Sequence, residues 1–421
     1  MIQYKTNLEF ARKLDATDPF KTFRTRFYIP ENNIYMDGNS LGLLSKDSEV
    51  TLHHNLKKWK TKAINGWLEG DQAWFYYAEE IGKLAAPLIG AEPGEVIATG
   101  STTVNLHALL STFFKPEPGK NKILTDETNF PSDIYALKSH LKLRGLDPES
   151  HLVMVPAERD GTLSEGRIIK CMDEDIALAL FQSVIFTTSQ LLDVATLTQE
   201  AHKNGILIGF DCSHSAGVVP HTFDKDAVDF AFWCGYKYLN GGPGSSAFIF
   251  INKKHFEKEP LMAGWFGYKK EKQFEMSLEF DHERSAGGWQ ISSPGILGLA
   301  PLEGSLKILN EAGIEQIRAK STKLTSYFIY LIDHILVKDP YNFYLVALRD
   351  PEKRGGHIAL KRDQEALRIN EALKKRGIIS DFRPPNIIRL APVPLYNTFE
   401  EIWEVVFTLK EIIDEREYMK F

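Results

Sequence analysis

An α/β fold with a mainly parallel central sheet, followed by a smaller α+β unit, is predicted by three observations on this 421-residue chain. Beyond Glu95, short β-rich runs alternate with longer segments of helical periodicity, the pattern of parallel strands joined by crossover helices. A stretch from Pro301 to about Val337 then reads as one long helix. The remainder of the chain mixes short strands with two more helices and lacks the regular alternation of the middle.

Asp47 to Asn65 places Leu52, Leu56 and Trp59 at near-helical spacing with lysines between them, an amphipathic helix. Strands are expected at Val96–Thr99, Lys122–Thr125, His151–Val155, Ile176–Phe181 and Ile206–Phe210, each succeeded by a helical segment. Val218–Pro220, Phe230–Cys234 and Ala247–Ile251 come too quickly for long helices between them, so they finish the sheet, partly antiparallel. From Pro301, Leu302, Leu306, Leu309, Ile314, Ile317, Leu324, Phe328 and Leu331 line one side of a connector helix. The last unit takes strands at Phe343–Leu348, His357–Leu360 and Ile387–Ala391, and helices at Asp363–Lys375 and Phe399–Glu415. Without repeats or Gly/Ser linkers, the units are expected to pack together. The division is an amino-terminal segment 1–45 associating with the small domain, a large domain 46–300 that holds the main sheet and a small domain 301–421.

Composition narrows the function. Lys and Arg number 50 against 56 Asp and Glu, a net charge of −6, so no global positive field exists to hold nucleic acid or an anionic membrane. With 43% hydrophobic residues the chain has ample core material. Cys171, Cys212 and Cys234 form no disulfide framework and no Cys-x-x-Cys metal or redox pair, which suits a reducing compartment. Met1 to Asp18 mixes charges with scattered apolar residues, unlike a secretory signal. The longest apolar run, Ile176 to Phe186, is interrupted by Gln182 and Ser183 and is too short to span a bilayer. A cytoplasmic protein acting on a small molecule at a local site is expected.

Chemistry concentrates in two neighbouring segments. Gly209-Phe210-Asp211-Cys212-Ser213-His214 ends an apolar strand in an acid, and ligands of open α/β sheets bind at the carboxyl ends of strands. In Trp233-Cys234-Gly235-Tyr236-Lys237-Tyr238, a lysine stands between an aromatic strand and the glycine-rich turn Gly241–Gly244. A lysine held out of water there is available as a nucleophile. Singly, the acid reads as a turn former and the lysine as a solvated charge; together they suggest a pyridoxal phosphate site. The lysine forms an imine with the aldehyde, and the aspartate keeps the pyridine nitrogen protonated. Thr99-Gly100-Ser101-Thr102-Thr103 precedes a helix at Val104–Phe114, whose amino end favours a phosphate; simple helix capping also explains such a cluster.

These residues resemble the kynureninase family of pyridoxal phosphate enzymes nearly end to end. The matching segments are Gly38-Asn39-Ser40-Leu41-Gly42-Leu43, Thr103-Val104-Asn105-Leu106-His107, Phe130-Pro131-Ser132-Asp133, Gly209-Phe210-Asp211, Trp233 to Asn240, Gly264-Trp265-Phe266-Gly267 and Arg389 to Asn397. The resemblance implies an aspartate aminotransferase-like fold (fold type I), with helices on both faces of the sheet, and a homodimer. It makes Lys237 the imine-forming lysine and Asp211 the partner of the pyridine nitrogen, with His214 beside the ring and Phe130 stacked on it. Pro131, Ser132, Asp133 and Gln182 line the same pocket, Thr102 and Thr103 match the phosphate turn, and Tyr236 and Trp265 complete the phosphate cup. The Trp265 and Ser293 loops reach toward the neighbouring subunit, Arg389 pairs with the substrate α-carboxylate, and Trp67 and Ser293 lie near the substrate ring. Thr187-Thr188-Ser189 departs from the Tyr-Thr-Gly of many family members, and Gln182 stands where a smaller residue is often found.

The implied reaction is hydrolysis of L-kynurenine to anthranilate and L-alanine in tryptophan catabolism, with Lys237 as base and Tyr236 and Ser40 handling protons and the hydrated carbonyl. Trp67 has no acceptor for a ring hydroxyl, favouring kynurenine over 3-hydroxykynurenine. Cysteine desulfurases and selenocysteine lyases need a thiolate on a loop of the carboxy-terminal half, and no cysteine comes after Cys234. An aminotransferase or decarboxylase would use Lys237, Asp211 and Arg389 equally well. A cofactor-binding homologue without catalysis is the remaining alternative.

Overall fold

A computed structural model describes residues 3–346 and 348–421. Seven strands build the central sheet: β1 (Val96–Thr99), β2 (Lys122–Asp126), β3 (Leu152–Val155), β4 (Ile176–Gln182), β5 (Leu207–Asp211), β6 (Phe230–Trp233) and β7 (Ala247–Ile251). Their order is β1-β7-β6-β5-β4-β2-β3. The five strands β3-β2-β4-β5-β6 run parallel, and β7 is antiparallel to both its neighbours. Strands β4, β6 and β7 are buried at every residue, which is why they read as continuous apolar runs rather than alternations. Gly209 is required in β5 because a Cβ there would collide with the Phe230 ring on β6.

Several expected elements are placed differently. Val218–Pro220 is not a strand: Val218 and Val219 both bond back to the Ser215 carbonyl in a tight turn, and β5 already has β4 and β6 on its two sides. Among the described residues no helix comes between β5 and β6, and the helix between β3 and β4 is only Glu165–Lys170. The long connector is two helices, Ile296–Ala312 and Ile314–Ile335, broken at Gly313, whose φ of +75° suits glycine. The first of them packs on the Lys46–Lys62 helix, with Gly304 against the Asp47 backbone. That leaves Leu56 and Trp59 exposed, while Ser48 and Asn55 face inward, so the amphipathic reading picked the wrong face.

The carboxy-terminal unit has an antiparallel sheet ordered Asp381–Arg383, Ile387–Leu390, Ile358–Lys361, Tyr344–Leu345. The strand expected over Phe343–Leu348 is only two residues long, and Ala347 lies outside the described residues. Its helices, Ala366–Lys375 and Phe399–Asp414, carry Ile369, Leu373, Ile402, Val405, Val406 and Leu409 into a second apolar cluster. In the amino-terminal segment, Ile34–Tyr35 pairs in parallel with Ile378–Ile379. Among the described residues no helix is long and apolar enough to cross a membrane.

One buried charge anchors the sheet's opposite end. Asp229, ahead of β6, accepts hydrogen bonds from His202 Nε2 (2.9 Å), His255 Nε2 (2.8 Å) and the Ile208 amide (2.8 Å), and pairs with Lys254 at 2.7 Å. Burial alone would raise its pKa, but the histidine hydrogen bonds and the Lys254 charge outweigh it and hold the carboxyl well below its ordinary value. Its stabilisation is therefore fully present above the unfolded value of about 3.9 and is lost as the pH falls through the depressed folded value. Asp229→Ala strands these partners and is expected to cost about 3–5 kcal/mol in urea unfolding at neutral pH. The deficit relative to wild type should shrink in strong acid.

Candidate active site

The carboxyl ends of the parallel strands converge on one edge of the sheet, and the loops leaving them build a cavity of about 260 Å³. β1 supplies Ser101, Thr102 and Thr103, β2 supplies Phe130 and Asp133, β4 supplies Gln182 and Phe186, β5 supplies Asp211, Ser213 and His214, and β6 supplies Tyr236 and Lys237. This is where open α/β sheets bind ligands.

At the β1 end of the cavity, the Thr102–Phe113 helix starts two residues ahead of expectation. Its amino-terminal flanking residue Ser101 makes no side-chain cap bond, so Ser101, Thr102 and Thr103 line the cavity without the capping that would otherwise explain the Ser/Thr cluster. Thr103 Oγ1 lies 2.7 Å from Ser132 Oγ, and Pro131 opens the next helix at a position where its missing N–H costs nothing.

Deeper in, Asp133 and Asp211 are nearly fully buried and adjacent. Burial raises both pKa values, Asp133's further through the Asp211 charge, while Lys237 pulls in the other direction. Asp211 Oδ1 accepts from the Ser213 amide at 2.8 Å. Among the described residues, Asp133 Oδ2, Ser213 Oγ and His214 Nδ1 are buried without hydrogen-bond partners. Two adjacent buried carboxyls with an unmatched oxygen are an acceptor set for a cationic N–H. Lys237 Nζ lies 2.9 Å from His214 Nε2, and burial, then the charges of Lys237 and Arg389, keep His214 well below its ordinary pKa. Burial also raises the Tyr236 phenol, so it stays protonated.

Beside the cavity, Arg389 is buried on its strand. Its Nε and Nη2 donate to Asp381 at 2.7 and 2.5 Å, Nη1 to the Phe186 carbonyl at 2.9 Å, and Nη2 to Ser40 Oγ at 3.3 Å. Ser40 donates to Asp381 Oδ2 at 3.0 Å. Burial would raise the Asp381 pKa, but the Arg389 hydrogen bond and charge lower it; Asp37 nearby is pushed up to about 6 by burial and the Asp381 charge. The amino-terminal segment is seated by Gly42, whose amide donates to the Tyr236 carbonyl at 2.7 Å and whose Cα faces the Lys237 carbonyl and Asn240 with no room for a Cβ. Gly42→Ala is expected to cost about 1–3 kcal/mol by overpacking. Because it displaces the turn carrying Lys237, it should also lower turnover at least about tenfold under conditions where thermal melting shows the variant folded.

The cavity thus gathers Thr102, Thr103, Phe130, Asp133, Gln182, Asp211, His214, Tyr236 and Lys237, with Ser132, Ser40 and Arg389 beside it. It does not gather Trp265, Ser293 or Trp67. Trp265 is 44% exposed and Ser293 is exposed, while Trp67 packs on Trp74 and Phe266 with ring centroids 5.9 Å away in each case. Phe186, Ser213 and Asp381 were missed. Only Asp381 left a signal: it faces Arg389 across a hairpin, an opposite-charge cross-strand pair.

The chain superposes on the cysteine desulfurase of Thermococcus onnurineus with a TM-score of 0.78 over 94% of this chain and 98% of that one, at 19% identity. The cysteine desulfurase CsdA of Escherichia coli gives 0.78 at 15% identity, over 94% and 98%. The fold is therefore that of the fold type I pyridoxal phosphate enzymes. Residues 317–409 match the family described as kynureninase C-terminal domain. Kynureninase of Geobacillus thermodenitrificans is 54% identical over 98% of this chain and 96% of its own length, and that of Shouchella clausii 53% over 98% and 96%. The chain belongs to the kynureninase family.

Proposed function

We propose that the chain hydrolyses L-kynurenine to anthranilate and L-alanine with pyridoxal 5'-phosphate as cofactor. The observation that carries this reading is Lys237 and the Asp211–Asp133 pair facing one cavity, in a chain half identical to curated kynureninases. When bound, the cofactor supplies an electron sink that acidifies the substrate's α-carbon and weakens its β,γ bond.

The chain's own residues do the rest. The uncapped helix start with Thr102 and Thr103 would hold the phosphate, with Tyr236 beside it. Asp211 and Asp133 would hold the protonated ring nitrogen, with Phe130 and His214 against the ring. Lys237 Nζ would tether the aldehyde and, once displaced by the substrate amine, take the α-proton. Arg389, already oriented by Asp381, would hold the α-carboxylate. The Tyr236 phenol and Ser40 hydroxyl are placed to give and take protons as water adds to the γ-carbonyl.

A homodimer is part of this reading: Trp265, Phe274, Leu278 and Trp59 are exposed apolar groups, and the Trp265 and Ser293 loops would reach the neighbour's phosphate site. Three unpaired cysteines support a cytoplasmic setting, and tryptophan catabolism is the pathway that supplies the substrate. The test is purified holoenzyme with L-kynurenine, read by anthranilate fluorescence and alanine release; a holoenzyme yielding neither would overturn the assignment. The Trp67 indole, which packs on Trp74 and Phe266 outside the cavity of one chain, would reach the substrate ring only across the proposed dimer; it offers no acceptor to a ring hydroxyl, so kcat/KM is expected to be higher for kynurenine than for 3-hydroxykynurenine. An equal or reversed ratio would remove Trp67 from the specificity argument.

A further inference from the structure

We propose that Gln182 is a positioning residue that locks the Phe130 loop and the Arg389 guanidinium into one register. The inference rests on the roles proposed above for Phe130 and Arg389. Gln182 ends β4, is 1% exposed and faces the cavity. Its Nε2 donates to the Thr128 carbonyl at 3.1 Å, in the loop that leads to Phe130, and its Oε1 accepts from the Phe186 amide at 3.1 Å. Phe186 in turn offers its carbonyl to Arg389 Nη1 and sets its ring edge-on to Phe130, with centroids 5.4 Å apart. One carboxamide therefore ties the residue against the cofactor ring to the residue that orients the carboxylate-binding fork.

Donor arithmetic gives this tie its consequence. Of the five guanidinium N–H groups of Arg389, Asp381 takes the Nε and one Nη2 hydrogen, Ser40 the other Nη2 hydrogen at the longer 3.3 Å, and Phe186 one Nη1 hydrogen. The second Nη1 hydrogen and the one shared with Ser40 remain for a substrate carboxylate. Their direction is set by where Phe186 holds Nη1, and Phe186 is held by Gln182. A carbonyl on one side and an amide N–H on the other leave only one orientation of the Gln182 side chain, and among side chains of its length only a carboxamide, or a protonated carboxyl, both donates and accepts there.

The test compares holoenzyme carrying Gln182→Leu or Gln182→Glu with wild type and with Arg389→Lys. Gln182→Leu removes both buried hydrogen bonds and is expected to raise KM for L-kynurenine about tenfold, because only their effect on the Arg389 register reaches substrate binding, with kcat changed about threefold at most. Cofactor dissociation, followed by absorbance of the bound cofactor, should rise several-fold. Ionised Gln182→Glu can accept from Phe186 but cannot donate to Thr128, so its KM should be high near about pH 8 and return toward wild type as the pH drops and the buried carboxyl protonates. This pH-dependent rescue also decides the matter should the leucine variant fail to fold. KM and cofactor dissociation within twofold of wild type in Gln182→Leu, or a Gln182→Glu pH profile parallel to wild type, would overturn the proposal. If Arg389→Lys raises KM while the Gln182 variants do not, the positioning role alone is lost. If Arg389→Lys leaves KM unchanged, the carboxylate assignment falls with it.

Discussion

Lys237→Ala is expected to lower the rate of anthranilate formation by at least about 10³-fold, while the protein still folds and melts within a few degrees of wild type. The reason is geometric. Lys237 Nζ is the amine facing the cavity that also holds Asp133 and Asp211, and it sits 2.9 Å from His214 on a turn leaving β6. Removing it would delete both the tether and the base that the proposed function assigns to it, and a positioned base alone is worth about 10²–10⁴-fold. The thermal cost is small because Lys237 is only half-buried and its one hydrogen-bond partner among the described residues is a neutral imidazole. Stopped assays of L-kynurenine turnover beside a thermal melt decide the matter; full activity in the variant would move the chemistry to another residue.

Arg389→Lys is expected to raise KM for L-kynurenine by roughly 10²-fold, with a smaller fall in kcat. An ammonium keeps the charge but loses the planar fork that bonds Asp381 through two nitrogens while also reaching Phe186 and Ser40. Binding of the substrate carboxylate then lacks a pre-oriented partner, and the loss falls mainly on binding. Steady-state kinetics across substrate concentration separate the two parameters, and a kcat defect at unchanged KM would place Arg389 in the chemistry instead.

Much of the large sheet could be read from the chain because its strands are buried on both faces and so announce themselves as short apolar runs. Asp211 and Lys237 could be read for a related reason: each is a charge placed at or just after the end of such a run, and the strand end carries it to the ligand edge. Val218–Pro220 misled because an apolar triplet serves a buried turn as well as a strand. Leu56 and Trp59 misled because periodicity shows that a helix has an apolar side but not what covers it; close approach at Gly304 turned the other side inward. Asp381, Phe186 and the two bonds of Gln182 were out of reach for a different reason: each depends on partners brought together by the fold, such as Phe186 and Arg389, and neither local composition nor spacing encodes that meeting.

The antiparallel placement of β7 between β1 and β6 has a bearing on biosynthesis. Among the described residues β1 pairs only with β7, Val96 meeting Phe250 and Thr99 meeting Ala247, so the threonine loop it carries must wait for more than a third of the chain to leave the ribosome before it has a neighbour. Premature termination anywhere ahead of Ala247 leaves β1 an unpaired edge, open to association with other nascent chains. Such fragments should go to aggregates or proteases rather than persist as soluble apoprotein.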